Sequence, residues 1–265
     1  MLLRQGQRLL QYALTQICTS ESGAPKTYTV IAKRAAGNTA IDLPKVRKEI
    51  SDAGKKSGTG IVSLDLSSSS KQLDKSLFTA LKSNKTVKLN INLGGATVTF
   101  AGSDITNPSV SDAYDLTYSA GSQYQDTMIK AVGNDSSDFT YSFGYHGNLP
   151  GYATFAISTN FTQGQVVNIY KYDPDKKQYV AIAQGVTVDA GGVVSYVNNT
   201  CSDYLITSKT IANAQKSAAL SKQPKRGGSS SFPFATVLIA LATLIVGFAG
   251  GFFVNKFIKL KPLKA

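Results

Sequence analysis

The sequence predicts a mainly β chain: a β-sandwich-like domain with one or two short helices, followed by a single C-terminal transmembrane helix. Three observations lead there. Residues 60–210 hold about ten short runs of alternating apolar and polar residues, divided by Gly, Asn, Asp and Pro turn signals. Few segments carry apolar residues at helical spacing. Near the C-terminus, a run of 23 residues bounded by Phe232 and Val254 contains no charge. At a rise of ~1.5 Å per residue it covers ~34 Å, enough for a hydrocarbon core of ~30 Å.

Residues 1–37 read as a fragmentary N-terminal segment with one strand. "MLLRQGQRLLQYALTQIC" has Arg4, Gln7 and Arg8 where a secretory signal needs an unbroken apolar run. "KTYTVIAKRAAG" alternates like a strand, and no neighbouring strand is evident to pair with it. Residues 38–59 read as a short helix and linker. In "IDLPKVRKEISDAG", Asp42 suits the cap, Pro44 the first turn and Gly54 the stop.

Residues 60–210 form the β-rich module. "IVSLDLS" alternates. In "KQLDKSLFTALKSN", Leu73, Leu77 and Leu81 fall four apart beside Phe78, a short amphipathic helix with Ser70 as its expected cap and Asn84 as its end. "TVKLNINLGGATVTFAG" is a hairpin turning at Gly94-Gly95. "DAYDLTYSAG", "DFTYSFGYHG" and "GYATFAISTNF" add strands, and the second sets Phe139, Tyr141, Phe143 and Tyr145 on one face. "VVNIYKYDPDKKQYVAIAQG" is a hairpin turning at Asp-Pro-Asp. "VTVDAGGVVSYV" reads as a third hairpin turning at 189–192, and "DYLITS" closes the module. Residues 211–231 lose the strand pattern and end in Gly-Gly-Ser-Ser-Ser, which predicts a flexible basic stalk. Residues 232–254 are the membrane helix and 255–265 a basic cytoplasmic tail. Gly247 and Gly251 form GxxxG within the span, a spacing that lets helices pair closely.

Charge is unevenly placed. Residues 1–59 have ten Lys/Arg against four acids; residues 60–210 have ten lysines against twelve aspartates; residues 211–265 have eight basic residues and no acid. The basic excess therefore flanks the module. Nucleic-acid binding needs Lys and Arg on the folded face that meets phosphate, so no nucleic-acid partner is expected. The C-terminal charge, Lys256 and Lys259 included, suits anionic lipid headgroups of a bilayer.

Catalytic signatures are lacking. His146 is the only histidine, and "FGYHGNLPGY" is not a nucleophile elbow. No glutamate follows Glu49, and no motif pairs two carboxylates for glycosidic chemistry. Asp112 with Asp115, and Asp173 with Asp175, lack calcium-loop spacing and read as turn residues. Cys18 and Cys201 belong to no metal-ligand cluster; they read as two free thiols, with a Cys18–Cys201 disulfide as the weaker alternative. No metal or cofactor is expected. Tyrosine is abundant, with 13 copies and no tryptophan. Tyr114, Tyr118, Tyr141 and Tyr145 are the candidate ligand-binding residues if they line an exposed face, stacking on sugar rings or gripping a protein. The competing reading places them in the core.

The helix-to-strand stretch "LFTALKSNKTVKLNINL", with "ATVTFAG" and "GSDI", resembles a module repeated in surface proteins of clostridial and ruminococcal Gram-positive bacteria. The segment 169–207 is similar to the hairpins that end such modules. "TYTVIAKRAAG" is similar to the last strand of a cadherin-like β-sandwich from the same class of proteins. The resemblance covers roughly residues 36–207 and rests on β-pattern and turns. It implies a non-catalytic, single-pass, membrane-anchored cell-surface protein. Its module would space or adhere next to the membrane, extracellular, with a glycan or protein ligand. The rival readings are a carbohydrate-binding module, a surface hydrolase and a tail-anchored protein facing the cytoplasm.

Overall fold

Along Thr59–Asp65 every second residue is buried, as in a strand with one face on a core. The computed structural model describes residues 27–32, 41–67 and 72–224. Among these residues, most strands join one large mixed sheet, accompanied by three α-helices.

The first third is a parallel β/α arrangement. Strand β1 (Thr27–Ala32) leads to helix α1 (Leu43–Gly54), then β2 (Thr59–Asp65). A short strand, β3 (Gln72–Asp74), precedes helix α2 (Lys75–Lys82), which is followed by β4 (Val87–Asn92). β1 pairs parallel with β2, and β2 parallel with β4. Parallel neighbours need a crossover between them, and the two helices supply it. The N-terminal strand, for which the sequence offers no evident neighbour, therefore has one. Its partner lies beyond a helix, not across a turn.

The helices form for local reasons. The Asp42 carboxylate accepts from the Lys45 amide, and Pro44 sits in the first turn of α1. Asp74 accepts from the Ser76 and Leu77 amides to cap α2. The cap is thus Asp74 rather than Ser70, because Gln72–Asp74 is already committed to pairing with β6 (Ala113–Asp115). Val46, Ile50 and Ala53 of α1 are buried in the same cluster as Leu77, Phe78 and Leu81 of α2. The folded unit consequently begins before residue 60, and α1 is part of its core layer. Burying a Leu, Ile or Phe side chain stabilises by about 1.5–3 kcal/mol.

The remainder is antiparallel. β4 turns through Gly94, at φ +95°, into β5 (Ala96–Ile105), as the Gly-Gly signal predicts. β7 (Tyr118–Ala120) and helix α3 (Gln125–Ala131) lead to β8 (Phe139–Ser158), a single strand where the sequence suggests two. β9 (Val166–Asp173) and β10 (Gln178–Thr187) form the hairpin turning at Asp-Pro-Asp. β11 (Val193–Thr207) runs antiparallel to β8 along most of its length.

The third predicted hairpin does not form. Residues 189–192 do turn, with the Gly192 amide donating to the Asp189 carbonyl. The strands on either side find other partners: β10 pairs with β9, and β11 begins on Ser158 of β8. The turn is a crossing from one part of the sheet to another.

β8 and β11 carry that sheet around a bend. The C-terminal half of β8 pairs with β5, as Phe155 with Val98. Between β8 and β11 the register shifts at Asn198–Thr200 and again at Cys201–Asp203. Beyond those shifts β8 meets β7, and β11 meets β9. Bulges of this kind bend a strand and raise its twist. Gly151 stands where the β5–β8 register shifts; a Cβ there would lie 2.0 Å from the Asp104 carbonyl oxygen, so only glycine fits.

The last described segment is docked. β12 (Gln215–Lys216) pairs with β10, and a 3-10 turn, Ala218–Lys222, follows. Ala219 is fully buried. The Gln223 amide donates to the carbonyls of Val197, Ile182 and Ala219, and its carbonyl oxygen accepts from the Val197 amide. Residues 211–223 are therefore part of the fold, not stalk: small residues and one glutamine finish an otherwise open sheet edge. Among the described residues no helix is long and apolar enough to cross a membrane. The predicted span, with Phe232, Gly247, Gly251 and Val254, and the tail with Lys256 and Lys259 lie outside them.

Candidate functional site

The four candidate tyrosines form no shared exposed face: Tyr114 and Tyr141 are buried, and Tyr118 and Tyr145 are half-buried. Tyr114 is fully buried; its hydroxyl donates to the Pro108 carbonyl and accepts from the Ser111 amide, which pins the 108–111 turn. Tyr145 is half-buried, packs edge-on against Tyr114 at 5.4 Å and donates to the Asn148 carbonyl. Tyr118 is half-buried beside Tyr141 and Phe143, and burial pushes its hydroxyl pKa up to about 12. Tyr141 is fully buried, stacked on Tyr204, and its hydroxyl meets that of Tyr196. Burial, then the neighbouring tyrosines, holds its pKa well above the ordinary phenol range. Two of the four thus serve as core, and the other two lean on it.

Asp112 forms an exposed salt bridge with Lys75 at 2.6 Å. Asp115 accepts from the Thr117 amide and hydroxyl, and Asp173 from the Lys176 amide, as turn aspartates do. Cys201 is buried and free, and burial pushes its thiol pKa up, away from reactive thiolate. Cys18 lies outside the described residues.

The polar chemistry gathers elsewhere, on the outer side of the β8–β11 ladder. The 119–126 segment, which enters α3, lies over this side. Ser142 of β8 donates to the Gly121 carbonyl, and Thr140 donates to the Gln125 side chain. Met128 of α3 packs on Tyr172 and Leu205, fixing the helix to β9 and β11. Between the segment and the strand runs a shallow groove of ≈ 540 Å³, lined by Ser119, Gly121, Ser122, Gln123, Gln125, Asp126 and Ser142. Its lining offers hydroxyls, amides and one carboxylate, which suit a hydroxylated ligand better than an apolar one.

Beneath it sits Asp203, 1% exposed in the middle of β11. The Ser122 hydroxyl donates to its Oδ1, while Ser122 Oγ accepts from the Tyr124 amide. Oδ2 is buried and has no hydrogen-bond partner. His146 Nδ1 stands 3.6 Å from that oxygen, on a side chain 45% exposed. The serine donates to the carboxylate rather than to the imidazole, so the order is not that of a nucleophile, base and orienter. What the arrangement offers is a buried carboxylate lone pair beside an accessible ring. No cluster of three or more His, Cys, Asp or Glu suited to a metal ion occurs among the described residues.

A second buried acid lies at the start of β8. Both oxygens of Asp138 are buried without a hydrogen-bond partner, and burial pushes its pKa up. The nearby Thr207 hydroxyl opposes that shift without outweighing it. Lys209 pairs with Asp135 at 3.4 Å.

Sequence reading named His146 but not Asp203, Ser122 or Asp138. The signal for Asp203 was present: an aspartate inside "CSDYLIT", where a strand pattern disfavours one.

No protein-family model matches the chain, and neither a curated protein nor a solved structure matches it.

Proposed function

We propose that the chain is a non-catalytic, membrane-anchored cell-surface module that holds a β-sandwich-like domain close to the bilayer for spacing or adhesion. The observation that carries this reading is the uncharged run 232–254, followed by four lysines in the last eleven residues. The domain's last docked residue, Gln223, precedes that run by only eight intervening residues. A domain tethered that closely works next to the membrane. The bent β8–β11 ladder, whose tyrosines meet in the interior, supports the sandwich-like description. The pattern "V-K-L-N-I-N" with "G-S-D-I" supports kinship with Gram-positive surface modules.

Deleting residues 232–254 tests the anchor. The full chain should stay in the membrane pellet after alkaline carbonate washing, and the deletion should be soluble. A full chain that washes off removes the anchor from the account.

A carbohydrate-binding module is the second reading, and the burial of two candidate tyrosines favours a different centre for it. With Tyr114 and Tyr141 buried, the polar groove at 119–126 replaces the tyrosine face as the place for a glycan. Glycan-array binding that is lost on Gln123→Ala or Asp126→Ala supports this version. Binding that survives both substitutions removes the groove.

A further inference from the structure

Helices α1 and α2 finish at the same end of the sheet, because each leads into the start of a parallel strand, β2 or β4. Their ends meet: a Cβ on Gly54 would lie 2.0 Å from the Asn84 side-chain oxygen. Lys55 and Lys56 follow α1 there, Lys82 and Lys85 close and follow α2, and Lys88 stands near the start of β4. The first four are exposed and Lys88 is half-buried. The chain leaves the domain at this end too. Leu89 of β4 faces Phe100 of β5, which faces Ala153 of β8. Lys88 and Tyr152 each precede a member of that row, on strands that run the same way. The Lys222 ammonium stands 5.8 Å from the Tyr152 ring, so Lys222 lies two strands from Lys88, about 10 Å at ~4.8 Å per strand. Against these lysines the same end carries Asp52, paired to Lys48 and Lys55, and the exposed Asp104. Among the described residues no carboxylate pairs with Lys82, Lys85, Lys88 or Lys222. The opposite end is balanced: Lys45 lies in the turn capped by Asp42, Lys75 is paired to Asp112 at 2.6 Å, and Asp65 closes β2. A lysine in the last turn of a helix answers the partial negative charge there, which accounts for Lys82. It does not account for Lys85, Lys88 or Lys222.

We propose that this end of the domain, with Lys55, Lys56, Lys82, Lys85, Lys88 and Lys222, docks on the anionic lipid headgroups of the bilayer that holds the chain. The inference rests on the membrane anchor at 232–254. Charge complementarity is one argument: clustered lysines beside a bilayer are drawn to anionic lipid. Chain length is the other. Only residues 224–231 separate Gln223 from Phe232, and fully extended they reach about 30 Å at most. The corner from which the chain leaves therefore stays near the headgroups. β2, β4, β5 and β8 are adjacent strands, so the lysines spread over about 15 Å from that corner. The attraction falls off within a Debye length of ~10 Å. Helix α1 is about 18 Å long, so the bilayer distinguishes its two ends.

Lys45 and Lys75, in the first turns of the same helices, provide the control. The full chain is reconstituted into phosphatidylcholine vesicles with or without phosphatidylglycerol, floated, and treated briefly with an amine-acetylating reagent. Mass spectrometry then reads each lysine. The anchor predicts flotation with both vesicles. Docking predicts that phosphatidylglycerol slows acetylation of Lys82, Lys85 and Lys88 by about threefold or more and leaves Lys45 and Lys75 unchanged. The slowing should vanish at ~1 M salt, where the Debye length is about 3 Å. In Lys82→Glu/Lys85→Glu, two changes at exposed positions, Lys88 should lose its protection. Flotation with both vesicles and equal acetylation in both overturns docking and leaves the anchor standing. Slowing that extends equally to Lys45 and Lys75 overturns docking as well. Flotation only with phosphatidylglycerol, with the three lysines protected, removes the anchor and keeps the docking surface.

Discussion

The hydroxyls of Tyr141 and Tyr196, 55 residues apart, hydrogen-bond to each other inside the domain. Along β11, Tyr196 pairs with Phe155, and eight residues later Tyr204 pairs with Tyr141. Eight residues of straight strand cover about 26 Å at ~3.3 Å each, farther than two facing side chains reach. The ladder must therefore fold over between them, and the register shifts at Asn198–Thr200 and Cys201–Asp203 mark where.

Removing either hydroxyl leaves the other buried without that partner. Tyr141→Phe and Tyr196→Phe should each destabilise the domain by about 1–3 kcal/mol. The double variant should cost less than the sum, since neither group is then orphaned. Urea denaturation of the four proteins checks this. Additive losses would mean that the two hydroxyls do not depend on each other.

Leu77 and Lys75 lie on opposite sides of α2. Leu77 is fully buried, and Lys75 is half-exposed in a salt bridge to an exposed Asp112. Leu77→Asp should cost more than about 3 kcal/mol through an unpaired buried charge. Lys75→Ala should change stability by less than about 1 kcal/mol. Thermal melts of the two variants separate the cases, and similar losses in both would contradict the placement of the helix.

Gln223 ties the chain end to β11 and β10. Gln223→Ala leaves the Val197 amide and carbonyl without their side-chain partner. We expect a loss of about 1–3 kcal/mol and faster tryptic cleavage after Lys216 and Lys222 under native conditions. An unchanged cleavage rate would show that the docked segment does not depend on this glutamine.

Asp138 gives a pH signature. Its folded pKa is raised by burial, so the charged form is less favoured in the fold than in the unfolded chain. This destabilises the protein above the ordinary carboxylate range and vanishes below it, where both states are protonated. Asp138→Asn should therefore raise stability at neutral pH by about 1 kcal/mol, with the gain fading as pH falls toward about 4 and absent below it. Denaturation curves at the two pH values check the sign. A variant less stable than wild type at neutral pH would mean that the charge is satisfied.

Much of the fold was legible where the determinants are local. Asp42, Pro44 and Gly54 delimit α1, and the 87–105 hairpin follows from alternation and a positive-φ glycine at position 94. Non-local pairing was not legible. β1 finds β2 across a helix, and β11, instead of pairing with its predecessor β10, enters between β8 and β9, choices that alternation cannot encode. Docking of 211–223 was hidden because it rests on Ala219 and Gln223, neither of which carries a strand or helix signal. The site was half legible: a lone histidine attracts notice, whereas its carboxylate neighbour lies 57 residues on and meets it only through the β8–β11 ladder.

The most direct test of the proposed surface role is whether the domain lies outside the cell. Lysines flank the uncharged run on both sides, but those after it begin at Lys256, two residues beyond Val254, while residues 227–231 separate the upstream ones from it. That closeness favours a cytoplasmic tail and an external domain. Protease added to intact cells carrying the full chain should release a fragment that contains the domain through Gln223, leaving the C-terminal stub in the membrane fraction. A fragment released only after the cells are lysed would place the domain in the cytoplasm and contradict the surface function.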